Sequence, residues 1–164
     1  MNKKMIVIKE ALLALTIVLS AAGAYAQDVP SNLQAALFKK IFAFDKTLQA
    51  KGDVQVAVLG GSGDAIVAAF KDAGVSAKAV GGSQVPDGVS VVYVMPGTSS
   101  PKQQCAAKGV LSISGDASMV ESGKVSIGLS VEDGKPKINV NMGELKAEGQ
   151  ELSADLLKIA KVVQ

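Results

Sequence analysis

The chain has 164 residues, with 17 lysines and no arginine, 15 acidic residues, no histidine, no tryptophan and a single cysteine. Without histidine it lacks the commonest general base and the commonest metal ligand. Its formal net charge of +2 gives no electrostatic reason to expect nucleic acid, and without arginine there is no planar fork to grip phosphate or carboxylate bidentately.

Residues 1–26 read as a secretory leader. Lys3 and Lys4 supply a positive start, and Ala11 to Ala22 is an apolar run shorter than the roughly 20 residues needed to span a bilayer. Ala24-Tyr25-Ala26 fits the small-x-small cleavage pattern. The expected mature chain is therefore residues 27–164, periplasmic, with no membrane insertion after cleavage. Removing Lys3, Lys4, Lys9 and Glu10 leaves 14 lysines against 14 acids, and the remaining length suits one domain. Cys105 has no intrachain partner, so in an oxidising compartment it is either an intermolecular disulfide or a buried thiol.

Ser31-Asn32 offers a helix cap, and Leu33, Leu37, Ile41, Phe44 and Leu48 recur at helical spacing. Phe38 and Phe42 widen that stripe, so one amphipathic helix is expected over Leu33–Leu48. Val54–Leu59 is a β-branched strand, and Gly60-Gly61-Ser62-Gly63 turns it into a helix capped by Asp64 and ended by Gly74. Ala77–Val80 is a weaker strand. Val89–Met95 has the near-continuous apolar character of a strand covered on both faces. Ser100-Pro101 starts a third helix, which carries Cys105 and stops at Gly109, and Val110–Ile113 is a further short strand. Val125–Val131 and Ile138–Met142 alternate around the turn Glu132-Asp133-Gly134-Lys135, an antiparallel hairpin. After Ser153 a closing helix carries Leu152, Leu156, Ile159 and Val163 on one face, with Leu152 and Leu157 placed as a staple. The expected fold is α/β: a single-domain, mostly parallel sheet flanked by helices, with a C-terminal antiparallel hairpin and a closing helix.

Chemistry-bearing motifs are sparse. Gly60, Gly61, Ser62, Gly63 and Asp64 form a glycine-rich strand-to-helix turn that can present backbone N–H groups to a ligand. Ile66 stands where a dinucleotide fingerprint needs a third small residue, and no Gly-Lys-Ser/Thr follows. A tight βα turn is the plainer reading. Cys105 has no histidine to activate it, and Asp64, Asp87, Asp116 and Asp133 sit where aspartate caps turns. No catalytic residue, metal site or cofactor is expected. The stripe of the first helix is wider than one sheet face requires. Phe38, Phe42 and Phe44 are therefore candidates for an exposed face that docks either a second copy, giving a homodimer, or a sensor domain.

Three stretches together resemble the YfiR family. Ala36 to Phe44 is similar to the family's aromatic opening helix. Gly123 to Lys135 is similar to its hairpin, and Lys137–Asn141 with Leu152–Val162 is similar to its ending. The chain departs from the family in having Thr47-Leu48-Gln49 where Trp-Pro is usual, one cysteine in place of a pair, and lysine throughout in place of arginine. The resemblance implies a non-enzymatic periplasmic regulator. Its partner would be a membrane-bound sensor protein such as a diguanylate cyclase or histidine kinase, upstream of cyclic di-GMP and biofilm formation. Two readings from other classes are a periplasmic small-ligand-binding protein using the loops at the strand carboxyl ends, and a hydrolase with a carboxylate pair.

Overall fold

The computed structural model describes residues 28–163, so the leader and its expected cleavage after Ala26 lie outside the described residues. Seven strands form one sheet in the order β2-β1-β3-β4-β5-β6-β7. They are β1 Gln55–Leu59, β2 Ser76–Val80, β3 Val91–Val94, β4 Leu111–Ser114, β5 Ile127–Glu132, β6 Lys135–Asn141 and β7 Lys161–Val163. The pairs β1–β2, β1–β3, β3–β4 and β4–β5 are parallel. The β5–β6 hairpin is antiparallel, and β7 joins β6 in parallel. Every residue of β3 and β4 is buried: β3 is the apolar run covered on both faces, and β4 buries Ser112 and Ser114 as well as Leu111 and Ile113. The hairpin turn has both central residues at positive φ, Asp133 at 52° and Gly134 at 71°, the type I′ geometry that Asp-Gly favours.

The helices are α1 Ser31–Ala43, α2 Lys46–Lys51, α3 Asp64–Asp72, α4 Lys102–Lys108, α5 Ser118–Glu121, α6 Met142–Ala147 and α7 Ala154–Ile159. One core cluster gathers Phe38 and Ile41 of α1, Phe70 of α3 and Leu156 of α7 with Val56, Tyr93 and Leu129 of the sheet. A second cluster, built from Ala57, Val92 and Val94, takes Cys105 of α4 and Met119 and Val120 of α5. Side chains alternate along strands, so adjacent residues such as Val56 and Ala57 feed opposite clusters.

The structure corrects the expected elements at several points. The helix expected over Leu33–Leu48 is two helices. Asp45, fully buried, breaks it, and its Oδ1 accepts from Thr47 N at 2.8 Å and Leu48 N at 3.1 Å, capping α2. Asp45 also forms an isolated antiparallel bridge with Leu152. The first helix follows Pro30 without a side-chain cap, and Gly63 rather than Asp64 holds the cap position of α3. Val163 is not on the closing helix. Ala160 adopts extended geometry after α7, and Lys161–Val163 pairs along the exposed edge of β6. α5 and α6 have no counterpart among the expected elements, and α6 is capped by Asn141, whose Oδ1 accepts from Glu144 N at 3.1 Å. Phe38 and Phe42 lie in the core, stacked 6.4 Å apart, and each is 6.4 Å from the Phe70 ring. The docking face expected from Phe38, Phe42 and Phe44 is thereby reduced to Phe44, which is 44% exposed at the end of α1. The excess aromatic width fills the space between α1, α3 and Tyr93.

Candidate functional site

The parallel strands β1, β3 and β4 end on the same side of the sheet. From β1 the chain crosses to β2 on one side, while β3 lies on the other. That reversal of direction opens the crevice where open α/β sheets bind ligands. A cleft of about 490 Å³ occupies it. Ser62 from the loop after β1, Met95 from the loop after β3 and Asp116 from the loop after β4 line it, with Pro30 and Gln34 of the entering chain.

Its inner wall is a hydrogen-bonded relay. The Tyr93 hydroxyl donates to Gln34 Oε1 at 2.7 Å and accepts from Gly115 N at 3.1 Å. Gln34 Nε2 donates to Val29 O at 2.6 Å. These contacts bring together three segments far apart in sequence. They also explain Gly115, where a Cβ would lie 2.3 Å from Gln34 Oε1 and 2.6 Å from the Tyr93 hydroxyl oxygen. Burial pushes the Tyr93 phenol up to about 12, with Asp116 and Asp28 adding to the rise. The phenol is thus neutral at physiological pH, and its hydrogen bonds tie Gln34 to Gly115.

The glycine-rich turn has a packing explanation. Gly60 sits at φ 105°, and a Cβ there would lie 2.1 Å from Thr98 Oγ1. A Cβ on Gly63 would lie 2.5 Å from Val58 Cγ1. Gly63 N donates to Gly61 O at 2.8 Å. Of the five candidates only Ser62 lines the cleft, and Gly60, Gly61, Gly63 and Asp64 do not. The lining includes Asp28 and Asp116 but no lysine, so a phosphate there would meet no cation.

Cys105 is fully buried on α4, and burial pushes its thiol up to about 12. A thiol in that state is neither nucleophilic nor accessible for intermolecular pairing. Among the described residues no group of three or more histidine, cysteine or acidic side chains is placed to hold a metal ion. No helix among them is long and apolar enough to cross a membrane.

One buried titratable group gave no signal in the sequence. Glu148, 1% exposed at the end of α6, accepts from Ser112 N at 3.1 Å and Ser126 Oγ at 2.6 Å, and from Ser112 Oγ. Burial raises its carboxyl to about 7, against the opposing pull of the two serines. The three donors belong to β4 and to the residue before β5, so proximity arises only from the fold.

The described domain is a mostly parallel α/β sheet with a strand-end cleft and a sealed thiol. A family model for YfiR/HmsC-like proteins matches residues 31–161, and the chain belongs to that family. It is a regulatory family, periplasmic, linked to cyclic di-GMP signalling and generally acting with a membrane diguanylate cyclase. No curated protein matches the chain in sequence.

Proposed function

We propose that this protein is a non-enzymatic periplasmic regulator. It binds the periplasmic part of a membrane-bound signalling protein, restrains a diguanylate cyclase and so lowers cyclic di-GMP and biofilm formation. The observation that carries this reading is the family match, which runs from the first residue of α1 to the first residue of β7. Export by the leader at residues 1–26 places the regulator on the partner's side of the membrane. Crosslinking in intact cells, followed by recovery of the protein from the membrane fraction, tests the contact. Recovery with a membrane-bound cyclase or histidine kinase supports it, and recovery of the protein free under the same conditions contradicts it.

A second reading is favoured by the cleft itself. Its volume of about 490 Å³ and its mix of apolar and hydrogen-bonding walls suit a small molecule. On that reading a ligand bound at the strand carboxyl ends sets whether the regulator engages its partner. Native mass spectrometry of the purified protein and of an Ala65→Trp variant, which places an indole at an exposed position of the cleft wall, tests this. A small molecule retained by the first and lost from the second supports it, and its absence from both contradicts it.

A further inference from the structure

A second concave surface runs along the outer flank of α1, toward the amino ends of β1 and β2. Its first hollow, about 490 Å³, lies between α1 and the end of α3 and is lined by Ala36, Lys39, Lys40, Ala43 and Ala73. Past Lys39 and Ala43 it opens into a hollow of about 430 Å³ that reaches Val54 and Val75. From there it continues to Lys71 and to Ala77 on the free edge strand β2.

Residues 36, 40 and 43 follow i, i+4, i+7 spacing, a second stripe on α1 apart from the buried one that carries Phe38 and Phe42. All three are exposed. Small alanine side chains along a helix let another helix approach closely. The charges around this floor are nearly all of one sign: Lys39, Lys40 and Lys71 against Asp53. None of these lysines is in an ion pair among the described residues, as is true of most lysines of the domain, so their charge is open to a partner. Lys39 Nζ donates to Ala73 O at 2.6 Å, which holds its charge over the groove. The ammonium groups of Lys40 and Lys71 have no hydrogen-bond partner among the described residues.

We propose that this groove docks an acidic amphipathic helix of the signalling partner, its apolar stripe on the alanine floor and its carboxylates on Lys40 and Lys71. The proposal rests on the partner-binding reading above and names the surface and chemistry of that contact. It is the helix-in-groove mode of recognition, with charge setting partner choice and encounter rate.

The test uses the purified ¹⁵N-labelled protein and two synthetic amphipathic helical peptides of equal length and identical leucine faces. The polar face of one is glutamate and of the other lysine. The glutamate peptide should bind, shift the amides of Ala36, Lys40, Ala43 and Ala73, and weaken with added salt. The double variant K40E/K71E should lose about tenfold or more in affinity for it and gain affinity for the lysine peptide. That charge-reversal gain separates lost contact from misfolding, and the wild-type shift map stands without the variant. Equal affinity for the two peptides, shifts confined to the strand-end cleft, or an unaffected variant overturns the assignment. Binding to anionic phospholipid vesicles without peptide binding also overturns it, by making the groove a membrane contact. So does a dimer that the variant abolishes. None of these measurements reads cyclic di-GMP, so the regulatory reading stands or falls separately.

Discussion

Glu148 shows how a single side chain can couple this fold to pH. Its Oε2 takes two donors, Ser112 N and Ser126 Oγ, while Oε1 faces Ser112 Oγ. Burial still dominates and lifts the carboxyl from its ordinary 4.5 to about 7. Below the unfolded value both folded and unfolded chains hold the proton. Between the two values only the folded chain does. The stabilisation is therefore complete at low pH, falls as pH rises through this window, and is gone above about 7, a swing of roughly 3 kcal/mol. Chemical denaturation at a series of pH values from 5 to 8 should show stability falling with pH in the wild type and a much shallower fall in Glu148→Gln. The amide imitates the protonated acid, with its oxygen in the Oε2 position and its NH₂ donating to Ser112 Oγ. Identical slopes in the two proteins would refute this assignment. Asp45 is raised in the same direction, by desolvation opposed by the Leu48, Thr47 and Glu151 backbone N–H groups, and it remains in both proteins. At the same scale, Cys105 should react with a thiol reagent only when the domain unfolds, since it is buried and its thiol is held protonated. Rapid labelling of the native protein would contradict that.

The elements show which sequence signals are sufficient and which depend on neighbours. Strands β1, β3 and β4, the Asp133-Gly134 hairpin and helices α3 and α4 were legible because periodicity and turn chemistry agree there. The break between α1 and α2 was not. Leu33 to Leu48 keeps helical spacing straight through it, and only the β-bridge of Asp45 to Leu152, some hundred residues away, reveals why the aspartate turns inward. Asp45→Ala should therefore cost about 1–2 kcal/mol through loss of the α2 cap, read as a lowered denaturation midpoint, and a change near zero would mean the cap is not needed. Phe42→Ala should cost about 3–5 kcal/mol, because its ring is 4% exposed and stacked against Phe38 and Phe70. A nearly unchanged melting curve would restore the exposed-face expectation. β7 was misread because Ile159 to Val163 is apolar enough for either period, and the open edge of β6 decided for strand. The cleft was legible in outline from the order of strands and helices. Its Tyr93–Gln34–Gly115 wall was not, since those residues lie 59 and 22 positions apart.

At the scale of the whole molecule, the α1–α3 layer carries two surfaces of different character at its opposite ends. The carboxyl ends of the strands carry a cleft with Asp28 and Asp116 and no lysine, and the α1–α3 flank carries a groove bordered by Lys39, Lys40 and Lys71. A chain with nearly balanced lysines and acids therefore still presents distinct faces, and composition alone does not describe how it meets a partner. Burial favours the neutral forms of Tyr93 and Cys105. The proposed regulator acts from the periplasm to restrain cyclic di-GMP synthesis. Cellular cyclic di-GMP in a deletion strain, complemented either with the full chain or with residues 27–164 lacking the expected leader, tests this most directly. The expected result is a rise on deletion, a return to the starting level with the full chain, and no return with the leaderless chain. An unchanged level on deletion, or full restoration by the leaderless chain, would contradict it.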